Sequence, residues 1–238
     1  MKKTAFYTIM NKPLLLTFLF AGMTLCANSQ TNGTVRHEVL LETSKGDIRI
    51  ALYNETPQHR DNFLKLVKDG FYDGLLFHRV IYNFMIQTGD SASRHAKPGQ
   101  LLGDSPEEYK VPAEICYPSL FHKRGAVAAA REGDEVNPEF ESSASQFYIV
   151  YGRRFNDTML DETQRRLDKQ TKGKIKLTPK VRETYKAIGG TPHLDGQYTV
   201  FGEVVDGLDV VKDIDWTDTD DNARPKEDIK IIKATIIK

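Results

Sequence analysis

Residues 77–90, with the sequence FHRVIYNFMIQTGD, limit the possible folds more strongly than any other part of the chain. Apolar and polar side chains alternate here with a period of two, which is typical of β-strands. The pattern predicts two strands joined by a bend at Tyr82 and Asn83, with Arg79, Met85 and Gln87 on one face of a small sheet. An arginine among aromatic and β-branched residues costs free energy unless its guanidinium is hydrogen-bonded. Taken alone, this segment leaves two interpretations open: an arginine that bridges a carboxylate in the structure, or a functional group.

The rest of the chain predicts a small β-rich domain with two helices. A hairpin is predicted at 39–52, and a helix is predicted from Thr56 as N-cap and Pro57 at the first helical position to Gly70. Further strands are expected at 125–130, 146–151, 199–205 and 229–237, a second helix at 208–214, and a surface loop at 91–112. Many short strands with two helices predict a single antiparallel barrel.

The N-terminal residues have the pattern of an export signal. Lysines precede an apolar run at 14–25, and small residues at 27–29 offer a cleavage site. We therefore expect a signal peptide at 1–29, a flexible leader at 30–36, and an exported, periplasmic protein. Lipoprotein processing at Cys26 is the alternative, although the preceding leucine fits it poorly.

Composition argues against several other classes of protein. The chain has 33 basic and 33 acidic residues, so its formal net charge is zero and no nucleic-acid partner is indicated. Its histidines are scattered without the spacing of a zinc site. Residues 218–222 resemble the start of a calcium loop, but Ala223 and Ile229 stand where that loop needs Gly and Glu. The sequence therefore predicts no metal site.

Residues 77–90 resemble the F-H-R-V-I-x-x-F-M-I-Q-x-G-D signature of the cyclophilin-type peptidyl-prolyl isomerases. Further stretches match in the same order: GAVAAAR at 125–131 with SQFYI at 145–149, and HLDGQYTVFG at 193–202. The resemblance implies a mainly β fold, namely a closed eight-stranded antiparallel β-barrel capped by two helices. It also implies isomerisation of X-Pro bonds in proline-containing polypeptides, with no cofactor. We expect the isomerase domain to span 37–238 and the protein to be a monomer.

The resemblance also assigns the site residues. Arg79 is the expected donor to the prolyl nitrogen, and Gln87 the residue that holds Arg79 or the substrate carbonyl by hydrogen bonding. The other expected substrate-binding residues form the proline pocket (Phe84, Met85, Tyr148, Leu194), the peptide groove (Ala130, Arg131, Gln146) and its rim (His193, Tyr198).

Four of these positions depart from the best-known eukaryotic pattern. His193 replaces a Trp, Arg131 an Asn, Tyr198 a His and Tyr148 a Phe. The forms at Arg131 and Tyr198 resemble those of active bacterial members, so activity is still expected. The change at His193 weakens the expectation of tight cyclosporin binding. His193 itself is either an exposed residue of the rim or a partner for a substrate carbonyl.

Residues 153–190 interrupt the compact family pattern and are expected to be a charged helical insertion. Helices are predicted at 157–169 and from Pro179 to Gly189. Between residues 157 and 186 there are nine Lys and Arg against five acidic residues. Three hypotheses remain open: a solvated helical hairpin, a docking surface for an acidic partner, or a lid that selects protein clients. For the whole chain, the alternative to an isomerase is a non-catalytic peptide-binding module or holdase chaperone that uses the same groove.

Overall fold

The computed structural model describes residues 36–238. The expected signal peptide at 1–29, Cys26 and all but the last residue of the leader lie outside the described residues. Within 36–238, no helix is both long and apolar enough to cross a membrane.

The described chain forms ten β-strands and four α-helices, along with two short 3₁₀ helices. The strands are β1 (Glu38–Thr43), β2 (Gly46–Leu52), β3 (Arg79–Ile81), β4 (Met85–Thr88), β5 (Lys110–Val111), β6 (Ala126–Ala129), β7 (Ser142–Ser143), β8 (Phe147–Val150), β9 (Val200–Asp206) and β10 (Ile231–Ile236). The helices are α1 (Pro57–Lys68), α2 (Asp157–Gln170), α3 (Pro179–Ala187) and α4 (Leu208–Asp215), and the 3₁₀ helices are Ser91–His95 and Pro192–Leu194. The predicted strands and helices are confirmed to within one or two residues at each end.

Eight of the strands form one antiparallel sheet in the order β10-β1-β2-β9-β6-β8-β4-β3. The sheet curls into a half-barrel, and the expected closed barrel is wrong because β3 and β10 are edges that do not pair with each other. The residues that precede β3 and β10 make a few backbone contacts with each other near this opening. Phe77 N donates to Ile229 O at 2.9 Å, and Leu76 forms an isolated bridge with Lys230.

Alternating side chains of the curled sheet face two separate apolar clusters, as the period of a strand requires. The larger cluster contains Ile86 and Ile149, and helices α1 and α4 add residues such as Phe63 and Ile214 to it. The smaller cluster contains their strand neighbours, Met85 and Tyr148 among them, and borders the candidate site.

The start of helix α1 differs in detail from the sequence prediction. Thr56 occupies the N-cap position, but its side chain makes no capping hydrogen bond. The carboxylate of Glu114 accepts hydrogen bonds from the backbone N–H groups of Gln58 and His59 instead, at 3.1 and 3.0 Å. A distant residue therefore satisfies the free donors at this helix end.

Helices α2 and α3 confirm the helical prediction for residues 153–190, which we call the insertion. Its own apolar cluster contains Leu160, Leu167, Val181 and Tyr185. That the segment is an insertion relative to the family stays a prediction.

Candidate active site

The site is built on the pairing of β3 with β4. Arg79 lies directly opposite Gln87 in this antiparallel pair, and its Nη1 donates a hydrogen bond to Gln87 Oε1 at 3.1 Å. Gln87 Nε2 donates to Gln146 Oε1 at 3.1 Å, and Gln146 Nε2 donates to the backbone oxygen of Gly103 at 2.8 Å. Four residues from three parts of the chain thus form one hydrogen-bonded series that ends at the guanidinium of Arg79.

Arg79 keeps its charge without an acidic partner. No carboxylate within residues 36–238 forms an ion pair with its guanidinium; the side-chain hydrogen bond it makes there is to the neutral amide of Gln87. Burial lowers the pKa of Arg79 from its usual value, and Tyr198 opposes that shift. Arg79 is nevertheless an exposed residue of β3, so its charge is only partly removed from water. A charged donor still makes stronger hydrogen bonds than a neutral one. The structure therefore does not support the interpretation of Arg79 as a residue that bridges a carboxylate.

Arg79 lines an open cavity of about 330 Å³ whose walls combine apolar and polar side chains. Nine of the eleven expected site residues line it: Arg79, Phe84, Met85, Gln87, Ala130, Arg131, Tyr148, Leu194 and Tyr198. Met85 and Tyr148 are almost fully buried, on the adjacent strands β4 and β8. Phe84 lies at the bend predicted from the sequence, where Asn83 takes a positive φ of 55°. Asparagine tolerates this left-handed conformation better than most residues do.

The remaining two expected residues lie beside this cavity. Gln146 lines a second, adjoining cavity of about 460 Å³, which also contacts Gln87, Ala130 and Arg131. His193 lines neither cavity. Its ring packs on Phe84 with 5.3 Å between ring centroids. His193 is an exposed residue, and the partial burial of its ring lowers the pKa of His193 to about 4.

The side chain of Arg131 is committed to contacts within the protein. Its Nε donates to Gln197 O at 2.8 Å, and Nη2 pairs with Asp134 at 2.7 Å. The guanidinium also lies over the ring of Tyr198, 4.5 Å from its centroid. Arg131 therefore supports the wall of the groove, and its backbone is the part left for an extended peptide.

The sequence did not identify the residues that the loop 91–112 contributes. Leu102, Gly103 and Asp104 line the cavity, together with the buried His78, whose pKa burial lowers to about 4. Asp90 holds the loop in place by accepting hydrogen bonds from Gly103 N at 2.5 Å and from Ser105 Oγ. The sequence offered one signal for this loop: Asp90 directly follows Gly89 at the end of a strand, and both residue types are frequent in turns.

A buried network connects the pocket wall to the insertion. Tyr148 OH lies 3.0 Å from His122 Nε2, and His122 Nδ1 lies 3.0 Å from Asp195 Oδ1. Tyr185, on helix α3 of the insertion, donates to Asp195 Oδ2 at 2.7 Å. All four side chains are at most 5 % exposed, so each polar group depends on the next for its hydrogen bonds.

Comparison with known proteins agrees with this architecture. The family model described as "Cyclophilin type peptidyl-prolyl cis-trans isomerase/CLD" matches residues 38–236. A Staphylococcus aureus (strain COL) relative, which bears the name of a peptidyl-prolyl cis-trans isomerase, is 33% identical over 196 residues. That alignment covers 82% of this chain and 88% of the relative.

Two further similarities are less direct. A Streptococcus pyogenes serotype M6 relative, named as a bifunctional phosphatase/peptidyl-prolyl cis-trans isomerase, is 33% identical over 82% of this chain, which spans only 37% of that protein. The crystal structure of a Cryptosporidium parvum cyclophilin-type isomerase superposes with a TM-score of 0.60 at 23% identity. This match covers 86% of this chain and 99% of that one. The family model spans nearly all of the described residues, and the Staphylococcus relative matches over most of its own length. The chain therefore belongs to the cyclophilin-type peptidyl-prolyl cis-trans isomerases.

Proposed function

We propose that this protein isomerises X-Pro bonds in exported polypeptides, with Arg79 as the hydrogen-bond donor to the prolyl nitrogen. One observation carries the proposal: Arg79 lines a cavity that also contains a group of apolar side chains, and the neutral amide of Gln87 holds its guanidinium there without compensating the positive charge. The exported location is supported by the N-terminal sequence pattern alone.

The chemistry requires little beyond such a donor and a dry pocket. Amide resonance resists rotation of the X-Pro bond with a barrier of about 18–20 kcal/mol. As the bond twists, resonance is lost and the prolyl nitrogen regains a lone pair that can accept a hydrogen bond. A donor that binds this nitrogen more strongly in the twisted state lowers the barrier selectively. Removing about 5 kcal/mol would accelerate the reaction roughly 10⁴-fold.

The remaining residues have supporting roles in this scheme. Phe84, Met85, Tyr148 and Leu194 provide apolar walls for the proline ring. Gln87 orients Arg79. The Cryptosporidium parvum relative has been crystallised in the presence of the dipeptide Ala-Pro, which supports an X-Pro ligand for this pocket.

The test is a protease-coupled isomerisation assay on an Ala-Pro peptide. We expect Arg79→Ala to lower kcat/KM by about 10²-fold, the effect typical of removing one electrostatic donor. Arg79→Lys should retain part of the activity, because it keeps the charge but loses the forked geometry. Arg60→Ala, at a half-buried arginine of helix α1 that lines neither cavity, is the control and should leave the rate unchanged. Wild-type rates equal to the uncatalysed rate would instead favour the non-catalytic peptide-binding module or holdase chaperone.

A further inference from the structure

The insertion is mounted rigidly beside the pocket. Gly152 and Gly190 lie against each other at its base, where a Cβ on Gly152 would come within 2.2 Å of Gly190 O. A Cβ on Gly190 would come equally close to His122 O. Tyr185, on helix α3 of the insertion, donates a hydrogen bond to Asp195, which lies outside the insertion. Since both ends and one helix are tied to the body of the domain, this arrangement argues against the lid hypothesis.

Ion pairs within the insertion use most of its acidic residues. Arg182 pairs with Asp161 at 2.7 Å, Lys176 with Asp168 at 2.6 Å, and Lys186 with Glu183 at 2.7 Å. The cations that make no ion pair within the described chain are all exposed: Arg153, Arg154, Arg165, Arg166, Lys169, Lys172, Lys174 and Lys180. We call these eight residues the basic surface. The whole chain has no net charge, so this excess of positive charge is confined to one part of the protein.

This basic surface begins at the edge of the pocket. Helix α2 packs against the 3₁₀ helix Pro192–Leu194, whose Leu194 lines the cavity. Arg166 and Arg153 lie close enough to His193 for their charges to add to the effect of burial in lowering its pKa. A polypeptide bound in the pocket and leaving it past His193 would therefore pass these two arginines.

We propose that the basic surface binds acidic residues of the same polypeptide whose X-Pro bond occupies the pocket, so that clients with acidic residues near the proline are preferred. This inference rests on the proposed function, because the pocket beside the surface selects a polypeptide. Exposed cations attract carboxylates over roughly one Debye length, about 10 Å at 0.1 M salt. The surface should consequently raise the encounter rate and the affinity for such clients, and do so less at high salt.

The experiment compares peptides with the same Ala-Pro centre: one neutral, one with two glutamates before the proline, and one with two glutamates after it. We expect the wild type to prefer one of the acidic peptides over the neutral one by about three- to tenfold in kcat/KM at low salt. That is the size of effect that two or three exposed ion pairs supply. The preference should disappear at about 1 M salt, where charges are screened beyond roughly 3 Å.

Two variants separate the surface from the catalytic site. The combined change Arg153→Gln, Arg165→Gln, Arg166→Gln and Lys169→Gln should abolish the preference and leave the rate on the neutral peptide unchanged. The control replaces four exposed lysines outside the insertion by glutamine and should keep the preference. These lysines are Lys45, Lys68, Lys226 and Lys233. Should the combined variant fold poorly, the pair Arg165→Gln and Lys169→Gln on the solvent face of α2 is expected to reduce the preference by about half.

Failure of this inference differs from failure of the proposed function. Equal rates on all three peptides, with normal catalysis of the neutral one, would overturn the inference alone. Absence of catalysis on every peptide would overturn the proposed function, and fluorescence anisotropy of the labelled acidic peptides would then test the surface directly. Stronger binding of a single-stranded oligonucleotide of matched charge would also overturn the inference, because it would assign the surface to nucleic acid.

Discussion

Gln87 faces Gln146 across the site, and its side-chain amide donates to the Gln146 side-chain oxygen at 3.1 Å. The direction of this hydrogen bond is determined at both ends. The backbone oxygen of Gly103 can only accept, so it must receive the Gln146 amide group. The guanidinium of Arg79 can only donate, so it must meet the Gln87 oxygen. The two glutamines therefore have one consistent orientation, and Arg79 is positioned by a residue it does not touch.

Gln146→Leu should consequently lower activity without changing the charge of the site. We expect kcat/KM to fall about tenfold, because Gln87 loses its acceptor and holds Arg79 less precisely. Substrate affinity should change less than kcat, which the dependence of rate on peptide concentration would show. Gln170→Leu, at the exposed end of α2, is the control. An unchanged kcat in Gln146→Leu would mean that Gln87 alone fixes the guanidinium.

The sequence predicted that Arg79 faces Gln87, but not that Gln146 and Gly103 support Gln87. The period of two and the bend at Tyr82 and Asn83 place Arg79 opposite Gln87, because a short antiparallel hairpin fixes which residues face each other. The contact of Gln146 with Gly103 joins residues 43 positions apart. No local pattern encodes that distance. The prediction of a closed barrel was wrong for a related reason, because the number of strands does not determine whether the edge strands pair.

Removing the hydroxyl of Tyr185 should weaken both the fold and the pocket. In Tyr185→Phe, Asp195 loses a buried donor, which we expect to cost about 1–3 kcal/mol of unfolding free energy. Because the same carboxyl group contacts His122, which contacts Tyr148, kcat/KM should also fall by about two- to fivefold. Urea unfolding and the peptide assay measure the two effects.

Tyr117→Phe is the matched control for Tyr185. The Tyr117 hydroxyl donates to Lys176 O at 2.7 Å, but this residue is only half-buried, so its loss should cost roughly 1 kcal/mol and leave activity intact. Equal losses in the two variants would contradict a link between the insertion and the pocket wall. The sequence motif at 193–202 contains Asp195, but its partner Tyr185 lies in the insertion, where no family pattern indicates it.

Asp215 should make the stability of the fold depend on pH. Burial raises the pKa of this carboxyl to about 6 from its ordinary value of 3.8, although Asn83 N donates to it at 2.8 Å. A raised pKa in the folded state means that the fold favours the protonated form. The corresponding stability is fully present below about pH 3.8 and is lost as the pH rises through about 6.

Asp215→Asn isolates this contribution, since the amide keeps an acceptor for Asn83 but cannot ionise. Relative to the variant, the wild type should lose up to about 3 kcal/mol of unfolding free energy between pH 4 and pH 7. Urea unfolding at several pH values measures the difference. Asp213→Asn, an exposed position on the same helix, controls for the loss of a carboxylate from α4. A difference between wild type and Asp215→Asn that does not vary with pH would show that Asp215 does not titrate in this range.

Gly89 should be irreplaceable because strand β4 ends in close contact with the segment that carries Gln146. Its φ is +101°, and a Cβ there would lie 2.2 Å from Ser145 O and 2.6 Å from Gln146 Cα. Both are backbone atoms, and Ser145 Oγ also donates to Gly89 O at 2.9 Å, so neither side can move without breaking the contact. We expect Gly89→Ala to cost about 3 kcal/mol or more and to lower kcat/KM by displacing Gln146 from Gln87.

Gly99→Ala distinguishes this steric effect from the cost of the backbone conformation alone. Gly99 also has a positive φ, +73°, but a Cβ there would meet nothing within 4 Å. Its replacement should therefore cost only about 1–2 kcal/mol, the penalty of a left-handed alanine, and leave kcat/KM unchanged. Urea unfolding of both variants with the peptide assay separates the two contributions. Similar losses of stability in both, with full activity in Gly89→Ala, would mean that β4 can shift away from Ser145 without disturbing the series of hydrogen bonds that holds Arg79.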